Sequence, residues 1–109
     1  MTRKVVYSSV AEAELAELYD YIAARKSPIV AKEYVDAILA EIRKLPERPF
    51  HGKDLEEFRP GMRKVGFRRR VDIIFTVTDD LVQIGHVLYG GRDYEAIIRA
   101  DIEAAYDGG

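Results

Sequence analysis

Two apolar stripes at helical spacing, only a few residues apart, do most to limit what this chain can fold into. Ala11, Leu15, Leu18 and Ile22 recur on one face of a first helix, while Glu12, Glu14, Glu17 and Asp20 colour the rest acidic. "SVAE" at 9–12 reads as a capping box: Ser9 accepts from the Glu12 amide, and Glu12 reaches back to the Ser9 amide. "SP" at 27–28 opens a second helix, with Ser27 as N-cap and Pro28 at the first helical position. Val35, Ile38, Leu39, Ile42 and Leu45 continue its stripe until Pro46 stops it. A connection as short as "ARKS" forces the two helices to pack as an antiparallel hairpin.

Around that hairpin the pattern switches to period two. "KVVYS" (4–8) is a short strand of β-branched and aromatic residues, and 46–61, broken by three prolines and two glycines, is loop. Three strands follow, at 62–67, 70–78 and 81–89, with Asp79-Asp80 turning the second into the third. In the second, Val71, Ile73, Phe75 and Val77 share a face. A Gly90-Gly91 break leads to a last helix over 93–106, capped by Asp93 and striped by Ile97, Ile98 and Ile102. The order predicts an α+β fold: N-terminal strand, antiparallel helical hairpin, three-stranded antiparallel meander joined by the first strand, and C-terminal helix. The helices are expected to cover one face of the sheet. A length of 109 residues suits a single domain over 1–109 with one continuous core.

Composition narrows the chemistry. Without cysteine there is neither a disulfide framework nor a thiolate metal site, and His51 and His86 stand in different local contexts, so no metal centre is expected. Nucleotide-binding, nucleophile-elbow and zinc-helix motifs are missing, and Gly90-Gly91 lacks the third glycine of a dinucleotide site, so no cofactor is expected either. "MTRKVVYSS" has an apolar run too short for a signal peptide or a membrane span, which makes a cytoplasmic protein the expectation. A net charge of −2 argues against a general nucleic-acid coat, so any pull on polyanions must be local.

Such a locality exists. "RPGMRKVGFRRR" (59–70) holds six basic side chains, Arg59, Arg63, Lys64, Arg68, Arg69 and Arg70, and no acidic one. Gathered on one side they would steer an anionic partner. The alternative is a solvated edge strand whose charges block pairing, but that needs one or two charges rather than six. Arg92, between the Gly-Gly break and the last helix, reads either as a phosphate-contacting group or as half of a surface ion pair. His86 invites a general-base reading. By alternation it shares a face with Val82, Ile84 and Leu88, which suits a packed, hydrogen-bonded core residue better. His51 belongs to loop surface. Tyr19, Tyr21 and Tyr34 sit in the hairpin and read as packing groups, leaving only Tyr89 and Tyr94 near Arg92.

With the elements in order, "RPGMRKVGFRRRVDIIFTV", "VQIGHVLYGGRDYEAII" and the opening "YSSVAEAELAELYDYI" resemble the RelE/ParE toxins of bacterial type II toxin–antitoxin systems, over nearly the whole chain. The RelE-like branch consists of ribosome-dependent messenger-RNA endonucleases. The ParE-like branch poisons DNA gyrase. The resemblance carries Arg63 and Arg92 onto two of the endonuclease positions, with His86 as the third candidate. A cation expected at the start of the central strand is replaced by Asp72, and the expected C-terminal tyrosine falls near Ile98. Cleavage by 2′-hydroxyl attack needs a base, an acid and cations for the phosphorane charge, and an aspartate in place of a cation opposes it.

"FRPG", "GGRDYEAII" and the two long helices sit closer to the ParE branch. That branch implies a non-enzymatic toxin, which contacts gyrase through Arg59, Arg63, Lys64, Arg68, Arg69, Arg70 and Arg92 and meets DNA only through gyrase or antitoxin. It also implies a ParD-like antitoxin whose tail folds onto the toxin. Leu18, Ile22, Val35 and Leu39 would supply its affinity, and Arg69 and Arg70 its register.

Overall fold

The computed structural model describes residues 3–107. Strand β1 (Lys4–Tyr7) runs into helix α1 (Ser9–Arg25), and α2 (Pro28–Arg43) returns against it. Ser27 caps α2 as expected, accepting from the Val30 amide at 3.1 Å with Pro28 behind it. The first cap falls one residue earlier than predicted. Ser8, not Ser9, accepts from the Ala11 amide at 2.9 Å. The reason lies in the sheet: the Ser8 amide donates to Ile84 and its hydroxyl donates to the Gly85 carbonyl, so the strand finishes and the helix begins on one residue.

A 3-10 turn at Leu45–Glu47 follows, and the predicted loop hides a two-residue strand, β2 (Lys53–Asp54), paired with β3 (Met62–Phe67). Strands β4 (Val71–Val77) and β5 (Leu81–Tyr89) complete a five-stranded sheet in the order β1-β5-β4-β3-β2, parallel only between β1 and β5. Helix α3 (Tyr94–Asp107) closes the described chain, with Asp93 accepting from the Ala96 amide as its cap. No helix among the described residues is long and apolar enough to cross a membrane.

The helices do not share one face. Leu15, Leu18 and Ile22 of α1 and Ile38 and Ile42 of α2 pack on Phe67, Val71, Ile73, Phe75, Val82 and Ile84. On the opposite face Ile98 of α3 meets Leu55, Met62, Ile74 and Leu88. The single core expected of this length is therefore divided by the sheet into two clusters. "DIIF" (72–75) explains the division: Ile73 and Phe75 point to the hairpin, Ile74 to α3, and all three are buried, as a strand covered on both faces requires.

Candidate functional site

Strand β5 carries one residue too many for its ladder. Ile74 faces His86 but Phe75 faces Ile84, so Gly85 is extruded as a bulge. The bulge resets the alternation. Val82 and Ile84 belong to the hairpin side, whereas His86 and Leu88 pair with Ile74 and Asp72 on the α3 side. The shared face expected from simple alternation is thereby corrected. His86 is 7% exposed, and both its ring nitrogens meet carboxylates: Nδ1 lies 3.0 Å from Glu14 of α1, and Nε2 2.5 Å from Asp101 of α3. Carboxylates only accept, so both nitrogens donate and the ring is an imidazolium. The Glu14 hydrogen bond pushes its pKa up to about 9, with help from Asp101 and against the desolvation of burial. Glu14 also accepts from the Val87 amide at 2.8 Å, covering the edge of β5 that β1 leaves bare.

The six basic residues of 59–70 do not form one patch. Arg63, across from Phe75, lies on the hairpin side, and Lys64, across from Ile74, on the α3 side. Arg63 is a brace: its side chain is 15% exposed, and it donates to the carbonyls of His51 at 3.1 Å and Gly52 at 3.0 Å, with Asp54 at 4.0 Å. Lys64 pairs with Asp72 at 3.3 Å and stands 4.5 Å from the centre of the Tyr94 ring. The aspartate that breaks the endonuclease pattern thus serves to hold a lysine. Arg59 borders a cavity of about 370 Å³ between the sheet and α3, together with Met62, His86 and Ile102.

Only Arg68, Arg69 and Arg70 stay together. They form the β3–β4 turn, closed by the Arg70 amide donating to the Phe67 carbonyl at 3.1 Å. Arg68 and Arg69 have φ of 50° and 59°, the left-handed pair of a type I′ turn, which costs a non-glycine residue about 1–2 kcal/mol each. Arg92 is exposed just past the end of β5, beside the strand end to which the Arg70 carbonyl is tied through the Gly90 amide at 2.8 Å. Arg63 and His86 face opposite sides of the sheet, and neither approaches Arg92 through any hydrogen bond or ion pair among the described residues.

The residues expected to meet an antitoxin sit at two depths. Leu18 and Ile22 are buried in the hairpin-side core, and Val35 and Leu39 are half-buried against it. The exposed apolar side chains of the hairpin are instead Val10, Tyr21, Ile29 and Val30. Sequence reasoning also missed Glu14 and Asp101 as partners of His86. Glu14 had a signal, since it sits three residues after Ala11 and four before Leu18, on the inward face. Asp101 had none, because only the folded sheet brings α3 to β5.

A family model described as the ParE toxin of the type II toxin–antitoxin system, parDE, matches residues 5–94, from β1 to the start of α3. A search of curated proteins returns no match. Among solved structures, a chain of the "Chromosomal ParDE TA system from P. aeruginosa" superposes with a TM-score of 0.70. It covers 82% of this chain and 97% of that one at 21% identity, a likeness of fold. Since the matched span holds the whole helical hairpin and every strand but the first residue of β1, the chain belongs to the ParE toxin family of type II toxin–antitoxin systems.

Proposed function

We propose that this chain is a toxin that inhibits DNA gyrase in the cytoplasm and is held silent by a ParD-like antitoxin. The observation that carries the reading is the separation of Arg63 from His86 by the sheet. Phosphodiester cleavage asks a base and an acid to stand within about 3 Å of the atoms they serve, with a cation beside the developing charge. Here His86 is already protonated and clasped by two carboxylates, Arg63 is spent on loop carbonyls, and Arg92 stands apart. A surface that grips a partner needs no such convergence. Arg68, Arg69, Arg70 and Arg92 are its target contacts. Arg69 and Arg70, with Val35 and Leu39 at the hairpin margin, remain those offered to the antitoxin.

The test is a supercoiling assay with purified gyrase. Adding the chain should stop supercoiling and leave cleaved DNA bound to the enzyme, and replacing Arg68, Arg69 and Arg70 with alanine should weaken both effects at least ~10-fold. Unchanged supercoiling without a cleavage complex overturns the reading. Primer extension on translated messages examines the endonuclease alternative: discrete cuts that vanish on Arg92→Ala would establish it instead.

A further inference from the structure

The end of the molecule around the β3–β4 turn gathers arginines whose charge no carboxylate neutralises among the described residues. Asn-Gly is the pair that takes a type I′ turn without strain, yet Arg68 and Arg69 occupy it. A local rule broken at an exposed position points to something the charges do rather than to something the turn needs. Behind the turn stands an aromatic row. Arg68 lies 4.8 Å from the Phe67 ring centre and 5.5 Å from that of Tyr34. Tyr34 meets Tyr89 at 6.3 Å, Tyr89 meets Tyr21 at 5.7 Å, and Arg25 caps the row 4.5 Å above Tyr21. Arg70 and Arg92 flank it at the ends of the neighbouring strands.

None of these five arginines enters an ion pair among the described residues. All five are exposed, and all five are arginine, the cation whose planar fork matches an oxyanion with two donors at once. The row behind them does not offer a stacking platform. Guanidinium groups sit over Tyr21 and Tyr34, Tyr34 stands edge to face on Tyr89, and Tyr21 is tilted against Tyr89, so the row presents no run of open parallel ring faces to unpaired bases. What remains available is charge spread across a tip, which suits a regular row of phosphates.

We propose that this arginine tip, Arg25 with the Arg68–Arg70 turn and Arg92, contacts the phosphodiester backbone of duplex DNA directly and without regard to sequence. This rests on the gyrase reading, in which the target already holds DNA, and adds a contact made by the chain itself. The acidic residues exposed on α1, Glu12, Glu17 and Asp20, keep the attraction local to the tip.

The experiment titrates a short labelled duplex with the whole chain between about 20 and 200 mM salt, using polyglutamate as competitor and a single strand as control. Each phosphate neutralised contributes about −0.9 to the slope of log K against log salt, so five contacts give a slope near −4.5. Arg68→Asn/Arg69→Gly relieves the turn while removing two charges. It should melt no lower than the parent, and its slope should be shallower by about 2. Arg25→Ala, on α1, should lower the slope by about 1.

A duplex affinity without salt dependence, or a slope that ignores both variants, overturns the proposal. So does tighter binding of the single strand, or of polyglutamate, which would make the tip a protein dock. If the chain stops gyrase but does not bind duplex, this proposal fails and the toxin reading stands. If it binds duplex but leaves gyrase untouched, the tip stands and the gyrase reading fails.

Discussion

His86 is held by three elements at once, and its charge ties them. The ring sits on β5, Glu14 comes from α1 and Asp101 from α3, so two helices on opposite faces meet at one imidazolium. Because its folded pKa of about 9 lies above the ordinary value of 6.5, the bridge is fully present below pH 6.5 and is lost as pH rises through 9. Thermal melts should therefore fall across that window. The loss should be on the order of 1–3 kcal/mol, discounted for water at Asp101, whose side chain is 56% exposed. His86→Ala should flatten the window, and an unaltered pH profile in that variant would show that the bridge is not the cause. At this scale the sequence was legible where a residue's neighbours are sequential, as at Ser27 and Asp93. It was not legible at His86, because one extra residue, Gly85, reverses the alternation for everything after it. A glycine inside a strand pattern is the available warning.

Among elements, the hairpin is the part the stripes defined in advance, and its boundaries follow from caps. Replacing Ser27 with alanine removes the acceptor for the Val30 amide and should cost about 1 kcal/mol in a urea melt, with the slope unchanged. The strand at Lys53–Asp54 was beyond reach, since two residues make no period, and it exists only because β3 presents an edge to pair with. Placement of the helices on two faces was equally hidden. Both α1–α2 and α3 have one apolar stripe, and nothing in a stripe names the side of the sheet it will find.

For the whole molecule the central strand decides stability, since β4 is covered on both faces. Phe75 is fully buried beneath the hairpin, and Phe75→Ala should cost about 3–5 kcal/mol, enough to leave a domain of this size marginal. A melt within 1 kcal/mol of the parent would mean that the hairpin side collapses around the gap. The basic run shows the limit of linear reading at this scale: six cations within twelve residues are distributed by the sheet among a loop brace, an ion pair, a cavity rim and a turn.

Ser8 reaches Gly85 across 77 residues of chain, at the one place where neighbouring strands run the same way. Synthesis delivers these partners in the worst order, the earliest strand waiting for the latest one. Until β5 leaves the ribosome, the hairpin's floor lacks Val82, Ile84 and Val87, β1 has no neighbour to pair with, and part of the oily side faces water. A message cut short before that point yields an unfinished sheet that chaperones and proteases will claim, so this fold comes into being only once its fifth strand is made.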